Sequence, residues 1–486
     1  MVAAASLMQS VLGITSSLTN LTALFGPSLS PDAQIILPSD VNFSERLTQR
    51  WTNYNAPSYI GAIKPATEAD IQNTVKIAAA NNIPFFTTGG GHGIADYHIF
   101  NGLSIDLSNF RTVQLDPSEN LLTVGGSAKI WQLNKLLYDA GKEFPLGSCA
   151  CMGVVGATMG AGIASMHGHR GLMLDALQSV RVITADGRAL DASKTQHSDL
   201  FWALRGAGSN FGIVTSATYK VYDASNNRQT MNADFVFSAS ANHTFWEIMK
   251  TFDYTLPSRL ALTAVAFYDR VNRQPVIALN AVFFGTLEEG EQYLSPFKTL
   301  NPVRSNISMV AGIDLMDAAF FNFFGNDNGA CTPNQHINIY TVALKQIDPP
   351  TFQLFFADIT SFWEANPDFQ GRLLMQRFPN DAVQAVPDEE TAYAYRDVKT
   401  YMNIEGFYTD KGLDDAANAF MRPARDSFAK TSGFGTLATY SNYAHGDEGP
   451  EAWYSARKLP QLSALKRKWD PDRLFSWNSP VPVQWP

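Results

Sequence analysis

The stretch TTGGGHGIADYHIFNGLSIDLSNF, Thr87 to Phe110, decides how the chain is read. Thr88, Gly89, Gly90 and Gly91 lead into His92 and Gly93, with an apolar, strand-like run on either side. Glycine permits positive φ and leaves backbone N–H groups open to an approaching ligand. A titratable imidazole with almost no side chains around it implies that a large planar or phosphorylated group takes that space. The alternative is a capped or surface histidine in an ordinary glycine turn, and the stretch alone leaves both readings open.

Upstream, KPATEADIQNTVKIAAANN places Thr67 and Asp70 in capping-box spacing, then Ile71, Val75 and Ala79 at helical spacing. IPFFTT reads as a short buried strand, which puts the glycines on a strand-to-loop turn. Downstream, LSIDLSNF and LLTVGG are strands, and AKIWQLNKLLYDAG is a helix ending on Gly141. A second glycine-rich stretch, FPLGSCACMGVVGATMGAGIASMHGHRGLMLD, runs from Phe144 to Asp175 and carries Cys149 and Cys151. LQSVRVITADGRAL is two strands around an Asp-Gly turn.

Near Tyr222 the texture changes, and DASNNRQT reads as a linker. Beyond it, amphipathic helices (ANHTFWEIMKTFDYT, FQLFFADITSFWEAN) mix with alternating strands (LALTAVAFYD, PVIALNAVFFG), the pattern of a separate α+β domain. The C-terminus ends in an amphipathic helix and an aromatic, Pro-bearing tail.

The bulk numbers agree with a soluble protein handling small molecules. The 486 residues are 45% hydrophobic, enough for a sizeable core and too many for one typical domain. A formal net charge of -9 argues against a broad nucleic-acid face. No apolar run approaches the ~20 residues that span a bilayer, so no membrane partner is expected. The apolar N-terminus, MVAAASLMQSVLGITSSLTNLTALFG, has no basic residue before Arg46; it reads as an amphipathic helix or a targeting segment. Three cysteines (Cys149, Cys151, Cys331) make neither a disulfide framework nor a zinc pattern, and the spacing of Cys149 and Cys151 makes a bond between them strained.

Two glycine-rich loops suggest a cofactor, and the common nucleotide fingerprints do not fit. GGGHG is followed by IADYHIF, which is no helix, and no GKS or GKT follows any glycine run. A covalent flavin does fit: it needs an imidazole or thiolate beside the ring with little bulk around it. Imidazole adds at the 8α-methyl and thiolate at ring carbon 6. His167 and His169 straddle a glycine beside the second loop, but no carboxylates cluster with them, so no metal site is expected.

On these motifs the sequence resembles the FAD-linked oxidases of the vanillyl-alcohol oxidase superfamily, in the berberine-bridge-enzyme-like branch, and most of all its fungal members. TGGGHG sits where that family has its GGH loop, whose histidine carries the flavin. CACMGVVGATMGAG is similar to the family's C-x-x-x-G-V-x-G-x-x-x-G-G-G loop, with Cys149 at the cysteinyl position and Gly153, Val155, Gly156, Gly160 and Gly162 along it; Cys151 is then a bystander. GLMLDALQ matches through Gly171, Leu172 and Asp175, and DLFWALRGAGSNFGIVTSATYKV through Gly212 and Ile213. YSNY and KWDPDRLFSWNSP resemble the C-terminal return, with Tyr440, Asn442, Tyr443 and Asn478. The departures are Thr88 for a basic residue, Ala157 and Ala161 in the second loop, and Tyr395 for the usual histidine in TAYAYRD. The last leaves the substrate class open.

The resemblance implies an α+β, two-domain PCMH/VAO-type fold: an N-terminal segment (1–55), an FAD-binding domain (56–225), an inserted substrate domain with an antiparallel sheet covered by helices (226–435), and a C-terminal return to the FAD domain (436–486). It implies FAD on His92, with Cys149 as an optional second link through a lowered thiol pKa or simple proximity. The implied cofactor contacts are Thr88 to Gly93, Cys149, Gly153, Val155, Gly156, Gly160, Gly162, Asp175, Gly212, Ile213, Asn442, Tyr443 and Asn478. The implied reaction is hydride removal from a small alcohol, amine or polyketide-like metabolite, with O2 as acceptor. On KTYMNIEGFY, alternation sets Tyr401, Asn403 and Glu405 on one face. Glu405 is the candidate base, with a pKa raised by an aromatic pocket, and Tyr440 is a second catalytic candidate. Phe320, Phe321, Phe323 and Phe324 lean the substrate toward an apolar metabolite. Sugar oxidation, redox-neutral isomerisation or cyclisation, and a non-catalytic binding protein are the alternatives. A monomer is expected, and the resemblance leans the location toward the secretory pathway.

Overall fold

The computed structural model describes residues 20–94, 99–322 and 331–486. The proposed N-terminal helix, apart from the short Leu21–Phe25 turn, and Phe323 and Phe324 lie outside the described residues.

Three sheets carry the architecture. The first orders Gln34–Ile36, Tyr59–Lys64, Gly102–Asp106 and Phe85–Thr88, with the last three strands parallel. Parallel neighbours need a crossover, and the helix Glu68–Ala80 supplies it, begun by the expected Thr67–Asp70 capping box. Its buried stripe runs through Ile71, Val75 and Ala78 rather than Ala79, because the helical period brings Ala78 inward. Phe85–Thr88 ends directly at the glycines, so His92 stands at the carboxyl end of a parallel strand, where α/β sheets open their ligand crevices.

The second sheet is antiparallel, in the order Val113–Asp116, Leu121–Gly125, Ile213–Lys220, Leu177–Ile183 and Ala189–Ser193. Its core also takes in Trp453, Tyr454, Leu459 and Leu462 from the C-terminal helix Pro450–Trp469, so the chain's end packs beside its first half.

The third sheet has seven antiparallel strands, in the order Arg304–Ala311, Gln229–Ser238, Gln274–Phe283, Leu260–Asp269, Arg372–Arg377, Thr400–Phe407 and Ile337–Leu344. Alternation gives it two faces. Leu260, Leu262, Ala264 and Ala266 pack under the helices Asn242–Thr255, Pro349–Ala365 and Asp414–Thr431. Thr263, Val265 and Phe267 of the same strand face a cavity instead. The result is a mixed α/β protein whose large antiparallel sheet is covered by helices on one side and open to a cavity on the other.

Candidate active site

The two glycine-rich loops touch backbone to backbone. A Cβ on Gly90 would lie 2.6 Å from Gly153 N and Cα, so any side chain there would push the loops apart. Gly91 has φ +77°, which an L side chain rarely adopts, and its carbonyl accepts from Trp51 N at 2.9 Å. The segment bearing Trp51 is pinned by Asp106, whose carboxylate accepts from Thr48 N and Thr48 Oγ1. The Trp51 indole therefore lies stacked on the His92 imidazole.

His92 Nε2 stands 3.5 Å from Cys149 Sγ. Burial pushes the His92 pKa down to about 4, aided by the charge of Lys129. Its imidazole is therefore neutral, with a free lone pair, at ordinary pH. Burial pushes the Cys149 thiol up, so the lowered-pKa route for Cys149 gives way to proximity. Cys151 is no bystander: it is disulfide-bonded to Cys331, 180 residues away. His92, Cys149 and Cys151 lie close enough to share a cation. The disulfide removes one of those thiolates, and no metal role is assigned.

The loops open into a cavity of about 1640 Å³ that runs across the free face of the seven-stranded sheet. Single-ligand pockets are typically ~300–1,000 Å³, so this one has room for a dinucleotide cofactor and a substrate together. Thr88 to Gly93, Cys149, Gly153, Val155, Gly156, Gly160, Gly162, Gly212, Ile213, Asn442, Tyr443 and Asn478 all line it. FAD fits this cradle. A Cβ on Gly156 would meet nothing, and Thr87 Oγ1 and Trp477 Nε1 are buried along the cavity with no hydrogen-bond partner among the described residues.

Two expected contacts lie elsewhere. Asp175 is not part of the lining; it accepts from Leu172 N and forms a buried ion pair with Arg396, 2.8 Å apart, in TAYAYRD. That pair joins two family motifs. Tyr401 shares the strand face of Asn403 and Glu405 but is capped by Tyr440 and His167, and its hydroxyl meets that of Tyr393 at 3.1 Å. Tyr440 reaches the lining, but its hydroxyl accepts from Gly162 N and Asn442 Nδ2, and burial pushes its pKa up to about 12. The two donors tie the second glycine-rich loop to the C-terminal return and leave the Tyr440 O–H proton itself to donate.

Glu405 and Asn403 line the cavity. Glu405 does not sit alone among aromatics. Strand register sets Arg372 directly opposite, and Arg372 Nε donates to Glu405 Oε2 at 2.5 Å. Asn403 Oδ1 is buried with no partner among the described residues. Tyr443 donates to Gln376 Oε1 at 2.9 Å. Arg372 and Gln376 escaped the sequence reading; the strand RLLMQR alternates, but only its register against 400–407 reveals their neighbours.

Comparison with known proteins agrees with this geometry. Residues 60–193 match the FAD binding domain family, and residues 439–482 match the family described as berberine and berberine like. The chain is 61% identical to the FAD-linked oxidoreductase tazG of Aspergillus terreus over 486 residues, 100% of this chain and 99% of that one. Among solved structures it superposes on BBE-like 1 of Physcomitrella patens with TM-score 0.83 at 19% identity, covering 96% of this chain and 100% of the other. The glucooligosaccharide oxidase of Acremonium strictum, described with a 6-S-cysteinyl, 8α-N1-histidyl FAD, gives TM-score 0.84 at 19% identity, covering 96% and 99%.

Proposed function

Because this chain belongs to the berberine-bridge-like FAD-linked oxidoreductases, we propose that it is an oxidase with covalently held flavin, acting on a small apolar metabolite with O2 as acceptor. The observation that carries the reading is the His92–Cys149 pair at the glycine-walled end of a cavity that continues over a substrate-sized sheet face. When bound, FAD supplies the hydride acceptor and passes the electrons to oxygen. The protein does the rest. His92 offers a neutral imidazole for the 8α link, and Cys149 lies close enough to add a second link.

Glu405 is the proposed base. Arg372 occupies Oε2 and leaves Oε1 to take a substrate proton. Asn403 Oδ1 has no competing partner among the described residues and would accept from a substrate hydroxyl or amine. Tyr443, held by Gln376, would orient the same group. Phe267, Phe284, Phe320 and Phe407 on the cavity wall favour an apolar ring system over a sugar. Sugar oxidation is the second reading, supported by the likeness to glucooligosaccharide oxidase. The disulfide is in keeping with an oxidising, secretory location.

The test is acid precipitation of purified protein with peptide mass mapping, followed by anaerobic titration with candidate metabolites and oligosaccharides. A yellow pellet with flavin mass on the His92 peptide, bleached by a metabolite, supports the reading. Turnover without bleaching would point to redox-neutral chemistry. A colourless pellet with unmodified peptides would overturn covalent attachment.

A further inference from the structure

Three sulfurs meet beside His92. Cys151 is bonded to Cys331. Cys149 Sγ lies 3.3 Å from Cys151 Sγ and 4.0 Å from Cys331 Sγ. Each sulfur is therefore within a side-chain rotation of the other two. Of the three pairings, only Cys151–Cys331 leaves Cys149 as a thiol.

Cys331 is delivered there by backbone pairing. Asn334 N donates to Arg50 O, Gln335 N to Trp51 O, and Asn53 N to Gln335 O. The same short ladder holds Trp51 on His92, so the attachment histidine and the disulfide partner are set by one piece of structure. A Cys149–Cys151 bond would close a ring across a single residue and is disfavoured by strain. Cys331 is thus the sulfur that Cys149 would meet if Cys151 were not there.

We propose that Cys151 guards Cys149: by capturing Cys331 it keeps the Cys149 thiol free for the flavin, so the disulfide pairing decides whether the cofactor carries one protein link or two. The inference rests on the covalent-flavin reading above. Both steps balance with the same oxidant. Two thiols and O2 give the Cys151–Cys331 bond and H2O2. The Cys149 S–H and the ring C6–H are lost as the S–C bond forms, and their two electrons and two protons likewise reduce O2 to H2O2. Burial of Cys149 keeps its thiolate scarce, which slows exchange with the neighbouring disulfide once that has formed.

The experiment is non-reducing peptide mass mapping after thiol blocking, on flavin-loaded wild type, Cys151→Ser, and the double variant Cys151→Ser with Cys331→Ser. Wild type is expected to show Cys151 bonded to Cys331 and flavin on both His92 and Cys149. Cys151→Ser is expected to show Cys149 bonded to Cys331, with cysteinyl flavin reduced at least tenfold and the His92 link retained as the sign of a folded site. The double variant is expected to regain cysteinyl flavin. With cysteinyl flavin present in the wild type, the same level in Cys151→Ser, or none in the double variant while His92 is loaded, would overturn the proposal. A wild type with flavin on His92 alone and a free Cys149 would sink the second link instead. The guarding role then stands on whether Cys149 bonds Cys331 in Cys151→Ser, and a free Cys149 there overturns it.

Discussion

The indole of Trp51 lies flat on the imidazole of His92, with ring centres 4.6 Å apart and planes inclined by 14°. Stacking of this kind is worth about 0.5–1.5 kcal/mol beyond the area it buries. Its use here is to fix the plane of a histidine whose neighbours are glycines. Trp51→Ala should lower the acid-stable flavin on His92 about fivefold, whereas Trp51→Phe should largely retain it. Peptide mapping after a fixed loading time checks both.

The touching loops make a contrasting pair of glycine substitutions. Gly90→Ala should part the loops and strongly reduce flavin uptake. Gly156→Ala meets no atom of the protein and favours its helix, so the flavin-free fold should keep its thermal midpoint while flavin affinity falls. Far-UV circular dichroism and flavin titration separate the two.

Burial depresses His92 and His169 from 6.5 to about 4, and His167 to about 3. Unfolded histidines bind protons near 6.5, so between these values the unfolded chain binds more protons than the folded one. The stability of the flavin-free protein is therefore fully present above pH 6.5 and lost as pH falls toward 4. Each of the three contributes about 2 kcal/mol by pH 5, so the loss should reach roughly 6 kcal/mol there, read from urea midpoints across that range. A flat profile would contradict neutral buried histidines.

Glu405→Gln keeps the shape of the residue and removes the basic oxygen. With the substrate in hand, flavin reduction should slow by about 10²-fold or more with little change in covalent flavin. Stopped-flow reduction under anaerobic conditions measures it. Arg372→Ala should disturb both binding and rate, because it leaves Glu405 without its partner.

Asp234 is fully buried and accepts from Asn232 Nδ2, Asn280 Nδ2, Phe320 N and Phe321 N. Phe320 and Phe321 hold left-handed φ of 54° and 57°, a conformation that costs bulky residues about 1–2 kcal/mol each. Asp234→Ala would strand those donors and release the turn. It should cost about 3 kcal/mol of stability in chemical denaturation and loosen the Phe320 wall of the cavity.

Much of this molecule was legible locally. The capping box at Thr67, the strand into the glycines, the Asp-Gly hairpin and the alternating strands of the large sheet all follow from propensity and period, which act within a few residues. The glycines pointed to a bound group because backbone conformation and the absence of Cβ are properties of the residue itself. What the tertiary structure decided was partnership at long range. It bonded Cys151 to Cys331 across 180 residues, took Asp175 away to Arg396 across 221, and covered Tyr401 with Tyr440. It also set Arg372 against Glu405 by strand register. A period-2 pattern says which face a side chain takes but not which strand lies beside it, and a one-residue slip would exchange every partner. The sequence alone thus determined the chemistry available at His92 and Cys149; the packing of distant segments determined which groups surround and restrain it.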